Sequence, residues 1–186
     1  TSWVSSRLTR SGVFGRLSRI KRDATVFIYF SGHGDKEAGE AFWLTSDAEP
    51  GNLVATALPD REINTLTRRI PTNRLIMILD CCYASATVSD RPDKGAGDFA
   101  EMLKQFVGKG RVTITASGSS EEAIAAKDLK LSLFTHYLVR GLRREADGVQ
   151  GVLDGVITVP ELSAYLDLFV ADAARERQGV QRPAIH

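Results

Sequence analysis

Ala24-Thr-Val-Phe-Ile-Tyr-Phe30, running into Ser31-Gly32-His33-Gly34, and Arg74-Leu-Ile-Met-Ile-Leu79, running into Asp80-Cys81-Cys82, decide the fold. Each stretch is short, continuously apolar and stopped by small or polar residues, the pattern of a strand buried on both faces of a parallel sheet. Neighbouring strands of an open α/β sheet deliver the residues at their C-terminal ends to a common crevice. One strand brings a histidine between two glycines, the other a cysteine. A thiol needs a base to become a nucleophile, and an imidazole can be that base.

Outward from these strands, helical and extended patterns alternate. Residues 3–21 carry a loose helical pattern, and 41–44 read as a short strand or hairpin arm. Ile63, Leu66 and Ile70 recur at helical spacing in a helix opened by Leu58-Pro59-Asp60 and stopped by Pro71. Residues 98–107 read as a helix, and Arg111-Val-Thr-Ile-Thr115 as a third, β-branched strand. A Ser-capped helix is expected from Ser132 to Arg143. Thr158-Val-Pro-Glu161 opens the last helix as a capping box with proline at its first position. The stretches 31–40, 45–56, 83–97, 116–131 and 147–155 read as loops. Strands alternating with helices predict one α/β domain over 1–186, with a mainly parallel central sheet and helices on both faces.

Composition excludes several classes. The 186 residues are 43% hydrophobic and 25% charged, with a formal net charge of +1. That balance gives no field for nucleic acid or an anionic membrane surface. No apolar run is long enough to span a bilayer, and no signal peptide is visible. The only two cysteines are adjacent, so this is not a disulfide framework; a reducing, cytoplasmic setting fits it. Zinc sites space their cysteines two to four residues apart, which Cys81 and Cys82 do not.

Three histidines are available as a base. His186 ends the chain and is expected to be loose, and His136 lies mid-helix, where a structural role is expected. His33 follows a buried strand between glycines that permit close backbone approach. Of the cysteines, Cys81 reads as a small buried hydrophobe, whereas Cys82 sits where the strand gives way to small residues. Alternation along a strand sets Asp80 and Cys82 on one side and Cys81 on the other, and sets Ser31 with His33. A carboxylate beside a thiol raises the thiol pKa, so Asp80 does not activate Cys82. It orients an imidazole, binds a cationic group of a substrate, or caps a nearby helix or loop. The chemistry open to these residues is attack of the Cys82 thiolate on a carbonyl, with His33 as base and the backbone N–H groups of Gly34 and Cys82 holding the oxyanion.

These motifs carry a family resemblance. Val26-Phe-Ile-Tyr-Phe-Ser-Gly-His-Gly34 with Leu79-Asp-Cys-Cys-Tyr83 resembles the caspase-like cysteine peptidases (clan CD, family C14), and among them the prokaryotic homologues related to metacaspases and orthocaspases. Arg111-Val-Thr-Ile-Thr-Ala-Ser-Gly118, Leu133-Phe-Thr-His-Tyr-Leu138 and Thr158-Val-Pro-Glu-Leu162 extend the resemblance from about Ala24 to the C-terminus. It implies a caspase-like (caspase-hemoglobinase) fold and an endopeptidase that works through a thioacyl-enzyme. His33 matches the catalytic histidine, Cys82 the nucleophile, and Gly34 and Cys82 the oxyanion-hole donors. Asp80 and Ser31 match residues lining an S1 pocket that selects Arg or Lys at P1.

Departures from the family are specific. Tyr83-Ala84-Ser85 stands where many members have His-Ser-Gly, and the family's first strand normally precedes the Ser-Gly-His-Gly strand. Residues 1–20 do not read as a strand, so the first strand is expected to be absent or supplied by an N-terminal fragment of the same precursor. Arg91, Lys94, Lys127 and Lys130 are candidate self-cleavage sites, and a regulatory sensor domain is a further partner the family implies. The resemblance also raises calcium, which metacaspases bind through clustered Asp residues. Asp47, Asp90 and Asp93 are too scattered for that, Asp147-Gly148 and Asp154-Gly155 do not make an EF-hand loop, and no cofactor is expected. The competing readings are a catalytically silent caspase-like interaction module and a Cys-dependent hydrolase or transferase of another class.

Overall fold

The computed structural model describes residues 12–83, 110–117, 125–126, 129–149 and 151–186. The elements in chain order are α1 (Val13–Leu17), β1 (Thr25–Glu37), β2 (Glu40–Leu44), α2 (Leu53–Thr56), β3 (Leu58–Pro59), α3 (Asp60–Arg68), β4 (Arg74–Tyr83), β5 (Arg111–Thr115), β6 (Ala125–Ala126), β7 (Leu131–Ser132), α4 (Leu133–Arg140), α5 (Val159–Glu176) and β8 (Ala184–Ile185). Six strands form one sheet in the order β3-β2-β1-β4-β5-β8, and β6 pairs with β7 in a separate hairpin. The long central strands β1, β4 and β5 run parallel. The short strands at the flanks pair antiparallel. This is the expected α/β architecture, parallel at its centre.

Alternation along β4 sorts its side chains into two cores, whereas among the described residues β1 is covered on one face alone: Phe27 and Tyr29 on its other face are exposed, so this strand is not buried on both faces as its apolar run predicts. On one face Val26, Leu75, Met77, Leu79 and Cys81 pack with Phe14 of α1 and Ile63 of α3. On the other, Ile78 and Ile114 pack with Leu133, Phe134 and Leu138 of α4 and Leu162, Tyr165, Leu166 and Val170 of α5. Met77 and Leu79 are wholly excluded from solvent, and burial of such a side chain stabilises by roughly 1.5–3 kcal/mol. The continuous apolar run of β4 follows from its cover on both faces. Cys81 is buried at 4% exposure in the first of these cores, as a small hydrophobe would be.

Both decisive strands are longer than their apolar runs predict. β1 continues through Ser31-Gly32-His33-Gly34 to Glu37 and turns into β2, where the sequence reads as a loop from residue 31 to 40. β4 continues through Asp80, Cys81 and Cys82 to Tyr83. The reason is pairing: β1 and β4 bond each other from Thr25↔Arg74 to Gly34↔Tyr83, and β2 holds β1 from His33 to Glu37. Ladder bonds need no apolar side chains. Toward the other end, Thr25–Gly32 of β1 has no ladder partner on the β2 side among the described residues, and no described strand precedes β1.

Smaller differences have local causes. Residues 45–56 hold the short helix α2 around buried Leu53. Leu58 and Pro59 pair with Trp43 and Phe42 before α3 begins at Asp60. Residues 116–131 include strand β6, which pairs with β7. Helix α4 ends at Arg140 and passes into a wide turn over Gly141–Glu145, in which Arg144 takes φ 94°. His186 is not loose: its N–H donates to the Thr113 carbonyl and its carbonyl accepts from the Thr113 N–H, each at 2.9 Å. Gly110, at φ +74° before β5, cannot be replaced freely, because a Cβ there would lie 1.8 Å from the Asn73 carbonyl oxygen. No helix among the described residues is long and apolar enough to cross a membrane.

Helix α5 starts with the expected capping box. The Thr158 hydroxyl accepts from the Glu161 N–H, and the Glu161 carboxylate accepts from the Thr158 N–H at 2.8 Å. The helix begins at Val159, which makes Pro160 its second residue rather than its first. Glu161 also accepts from the Gly148 N–H at 3.0 Å. The Thr158 N–H, the Thr158 hydroxyl and the Gly148 N–H together hold its carboxyl below the usual glutamate range. A lowered folded-state pKa contributes stability that is complete above the unfolded value and lost as pH falls through the folded one. In thermal melts, wild type is therefore expected to lose more Tm than Glu161→Gln on acidification below about pH 4.3. Thr158→Ala is expected to destabilise by roughly 1 kcal/mol at neutral pH.

Candidate functional site

The β1–β4 ladder builds the site. Its last pairs are Ser31↔Asp80, Gly32↔Cys81, His33↔Cys82 and Gly34↔Tyr83. Paired residues of parallel strands lie on the same face, about 4.8 Å apart in the bonding direction. The register therefore sets His33 beside Cys82 and Ser31 beside Asp80, on the face that carries Tyr29. Cys82 is placed by its backbone in β4. His33 and Ser31 are exposed, and Gly34 is buried, with Trp43 of β2 as its partner on one side and Tyr83 of β4 on the other.

Asp80 differs from its neighbours. It is 5% exposed, and a carboxylate so buried needs hydrogen bonds. The first turn of α4 supplies them. Ser132 Oγ donates to Asp80 Oδ2 at 2.5 Å, and Thr135 Oγ1 donates to the same oxygen at 2.6 Å. Tyr29 Oη stands 2.8 Å from Thr135 Oγ1 and 3.3 Å from Asp80 Oδ2. Thr135 has one hydroxyl proton and donates it toward Asp80, so the single Tyr29 hydroxyl proton is shared between Thr135 Oγ1 and Asp80 Oδ2. Ser132 also caps the helix, its Oγ accepting from the Thr135 N–H at 3.0 Å. Of the three roles open to Asp80 in the sequence, contact with a helix start is thus present, through two hydroxyls of α4.

The three hydroxyls around Asp80 are not singled out by the sequence. Tyr29 carries a usable signal, since period-two alternation sets it on the face of Ser31 and His33. Ser132 and Thr135 share a helix face at i and i+3, but nothing in the chain names the carboxylate they meet.

The other candidates are dispersed. Arg91, Lys94 and Lys127 lie outside the described residues, as do Asp90 and Asp93. Lys130 is exposed with φ 57°, immediately before β7. His136 is partly buried in α4, with its ring edge-on to Tyr137 at 5.1 Å. Asp47 accepts from the Thr45 hydroxyl at 2.5 Å, and Asp147 accepts the N–H groups of Asp154 and Gly155. Among the described residues no group of three or more His, Cys, Asp and Glu side chains could hold a metal ion.

A buried carboxylate that accepts three hydroxyls also supports the fold. Asp80→Ala would leave Ser132 and Thr135 without their acceptor, and the cost of stranding buried polar groups is about 1–3 kcal/mol. Denaturant unfolding is expected to show that loss for Asp80→Ala and a smaller one for Asp80→Asn, which keeps a carbonyl acceptor.

A family model described as the caspase domain, Peptidase C14, matches residues 13–185. No curated protein matches the chain.

Proposed function

The chain belongs to the caspase-domain family of cysteine peptidases, and from that premise we propose that it is an endopeptidase that cleaves after Arg or Lys, with Cys82 as nucleophile and His33 as base. The observation that carries the reading is the register His33↔Cys82, which pairs Cys82 of β4 with an exposed histidine of β1.

The chemistry follows from that pair. His33 takes the Cys82 proton, and the thiolate attacks the scissile carbonyl carbon. The oxyanion is held by backbone N–H groups, assigned here to Gly34 and Cys82. The C–N bond breaks as the imidazolium returns its proton to the leaving amine. A water molecule, deprotonated by His33, then cleaves the thioester and frees Cys82. Asp80, two residues before the nucleophile and paired in register with Ser31, forms the acidic floor that receives the P1 cation. A desolvated contact of this kind contributes about 1.5–3 kcal/mol.

A reduced thiol goes with a cytoplasmic environment. Thr25–Gly32 of β1 has no ladder partner on the β2 side among the described residues, which supports a partner that adds a strand there, an N-terminal fragment of the same precursor being the one proposed; a sensor domain would act upstream of it. Self-cleavage is assigned to Arg91, Lys94, Lys127 and Lys130. Calcium is given no role.

Fluorogenic peptides with Arg, Lys or Asp at P1 test the reading. Hydrolysis of the Arg and Lys peptides is expected, with the Asp peptide inert and with equal rates in calcium and in chelator. Cys82→Ala and His33→Ala should each lower kcat/KM on the order of 10^3-fold or more. Activity that survives Cys82→Ala would exclude the assignment. Intact mass over time tests self-cleavage, which predicts fragments ending at the named basic residues in wild type only.

A further inference from the structure

We infer that Tyr29, Ser132 and Thr135 are positioning residues that set P1 selectivity, by closing Oδ2 of Asp80 so that a P1 cation meets this carboxylate through Oδ1 alone. The inference rests on the reading of Asp80 as the receiver of the P1 cation.

A carboxylate oxygen offers about two acceptor positions. Ser132 and Thr135 donate into Oδ2 at 2.5 and 2.6 Å, and Tyr29 stands third at 3.3 Å. All three hydroxyls converge on the same oxygen, which has no position left for a ligand. They come from two separate elements, β1 and the start of α4. Asp80 is anchored in turn by the ladder to Ser31. Its carboxyl cannot turn to exchange its oxygens without breaking two hydrogen bonds to a charged group.

The consequence is chemical. Arginine gains over lysine at a carboxylate by forking, with two parallel N–H donors reaching two oxygens. An Asp80 that presents only Oδ1 forbids the fork and receives a guanidinium or an ammonium through one contact. The site therefore recognises positive charge without the usual arginine advantage. Removing donors from Oδ2 restores the fork and should favour arginine specifically.

The test reads binding, so it does not depend on turnover. Two product-like peptides, identical except for a C-terminal Arg or Lys, are titrated calorimetrically into the full chain carrying Cys82→Ala. The readout is the ratio of the Lys to the Arg dissociation constant. Adding Tyr29→Phe and Thr135→Val is expected to raise that ratio by about tenfold, the worth of one charge-assisted hydrogen bond. Thr135→Ser with Tyr29 intact keeps the donor and should leave the ratio where it was. A merely structural loosening weakens both peptides alike and does not move the ratio.

A rise below about threefold, which is under 1 kcal/mol, overturns the inference, as does a ratio already above tenfold before the hydroxyls are removed. Asp80→Asn separates the two levels. If both peptides bind and Asp80→Asn weakens both, while the hydroxyl variants leave the ratio unchanged, only the inference fails. If Asp80→Asn leaves binding intact, or neither peptide binds, the basic-P1 reading fails and the inference with it.

Discussion

The parallel ladder between β1 and β4 determines which residues of each strand share a face, and nearly everything else in the molecule depends on that register. Its ten pairs run from Thr25↔Arg74 to Gly34↔Tyr83. Side chains alternate with a period of two, so a slip of one residue would exchange the faces. Leu75, Met77 and Leu79 would leave the core they share with α1 and α3. Asp80 would leave the α4 hydroxyls and enter an apolar core. The penalty for a buried carboxylate without partners, added to the loss of three buried apolar side chains, far exceeds what a ladder gains from its bonds. The apolar run thereby determines the position of the polar residues that follow it.

A second constraint comes from α4. Its N-terminus lies over β4 because Leu133, Phe134 and Leu138 pack on Ile78 and Ile114. That packing brings Ser132 and Thr135 over Asp80. Ser132 then does two things with one oxygen, accepting a backbone N–H of its own helix and donating to the carboxylate. The apolar contact sets the distance, and the polar network fills the space at its rim. The arrangement keeps a charged residue at the edge of the hydrophobic core without leaving it unpaired.

The β1 edge that is unpaired among the described residues belongs to the same geometry. β2 covers only the upper part of β1, because its hairpin connection starts at Glu37 and five pairs bring it to Leu44. Below that point β1 has a ladder partner on its β4 side alone among the described residues. Sheet edges of this kind invite a further strand, and the exposed side chains of Phe27 and Tyr29 lie on the same stretch.

The sequence by itself determined the types of the main elements and which polar residues follow the two apolar strands. The apolar runs in 24–30 and 74–79, the β-branched strand 111–115, the Ser132 cap and the capping box of Thr158 and Glu161 were legible because each is a local pattern with a local cause. Alternation also told that Cys81 faces the core shared with Leu75, Met77 and Leu79. Strand ends were not legible, because Ser31–Glu37 and Asp80–Tyr83 stay extended through ladder bonds that polar side chains do not advertise. The partners of Asp80 lay further still from local reading. Tyr29, Ser132 and Thr135 are 51, 52 and 55 residues from it along the chain. A hydrogen bond over that separation depends on how two layers pack, and only the tertiary structure decides that distance.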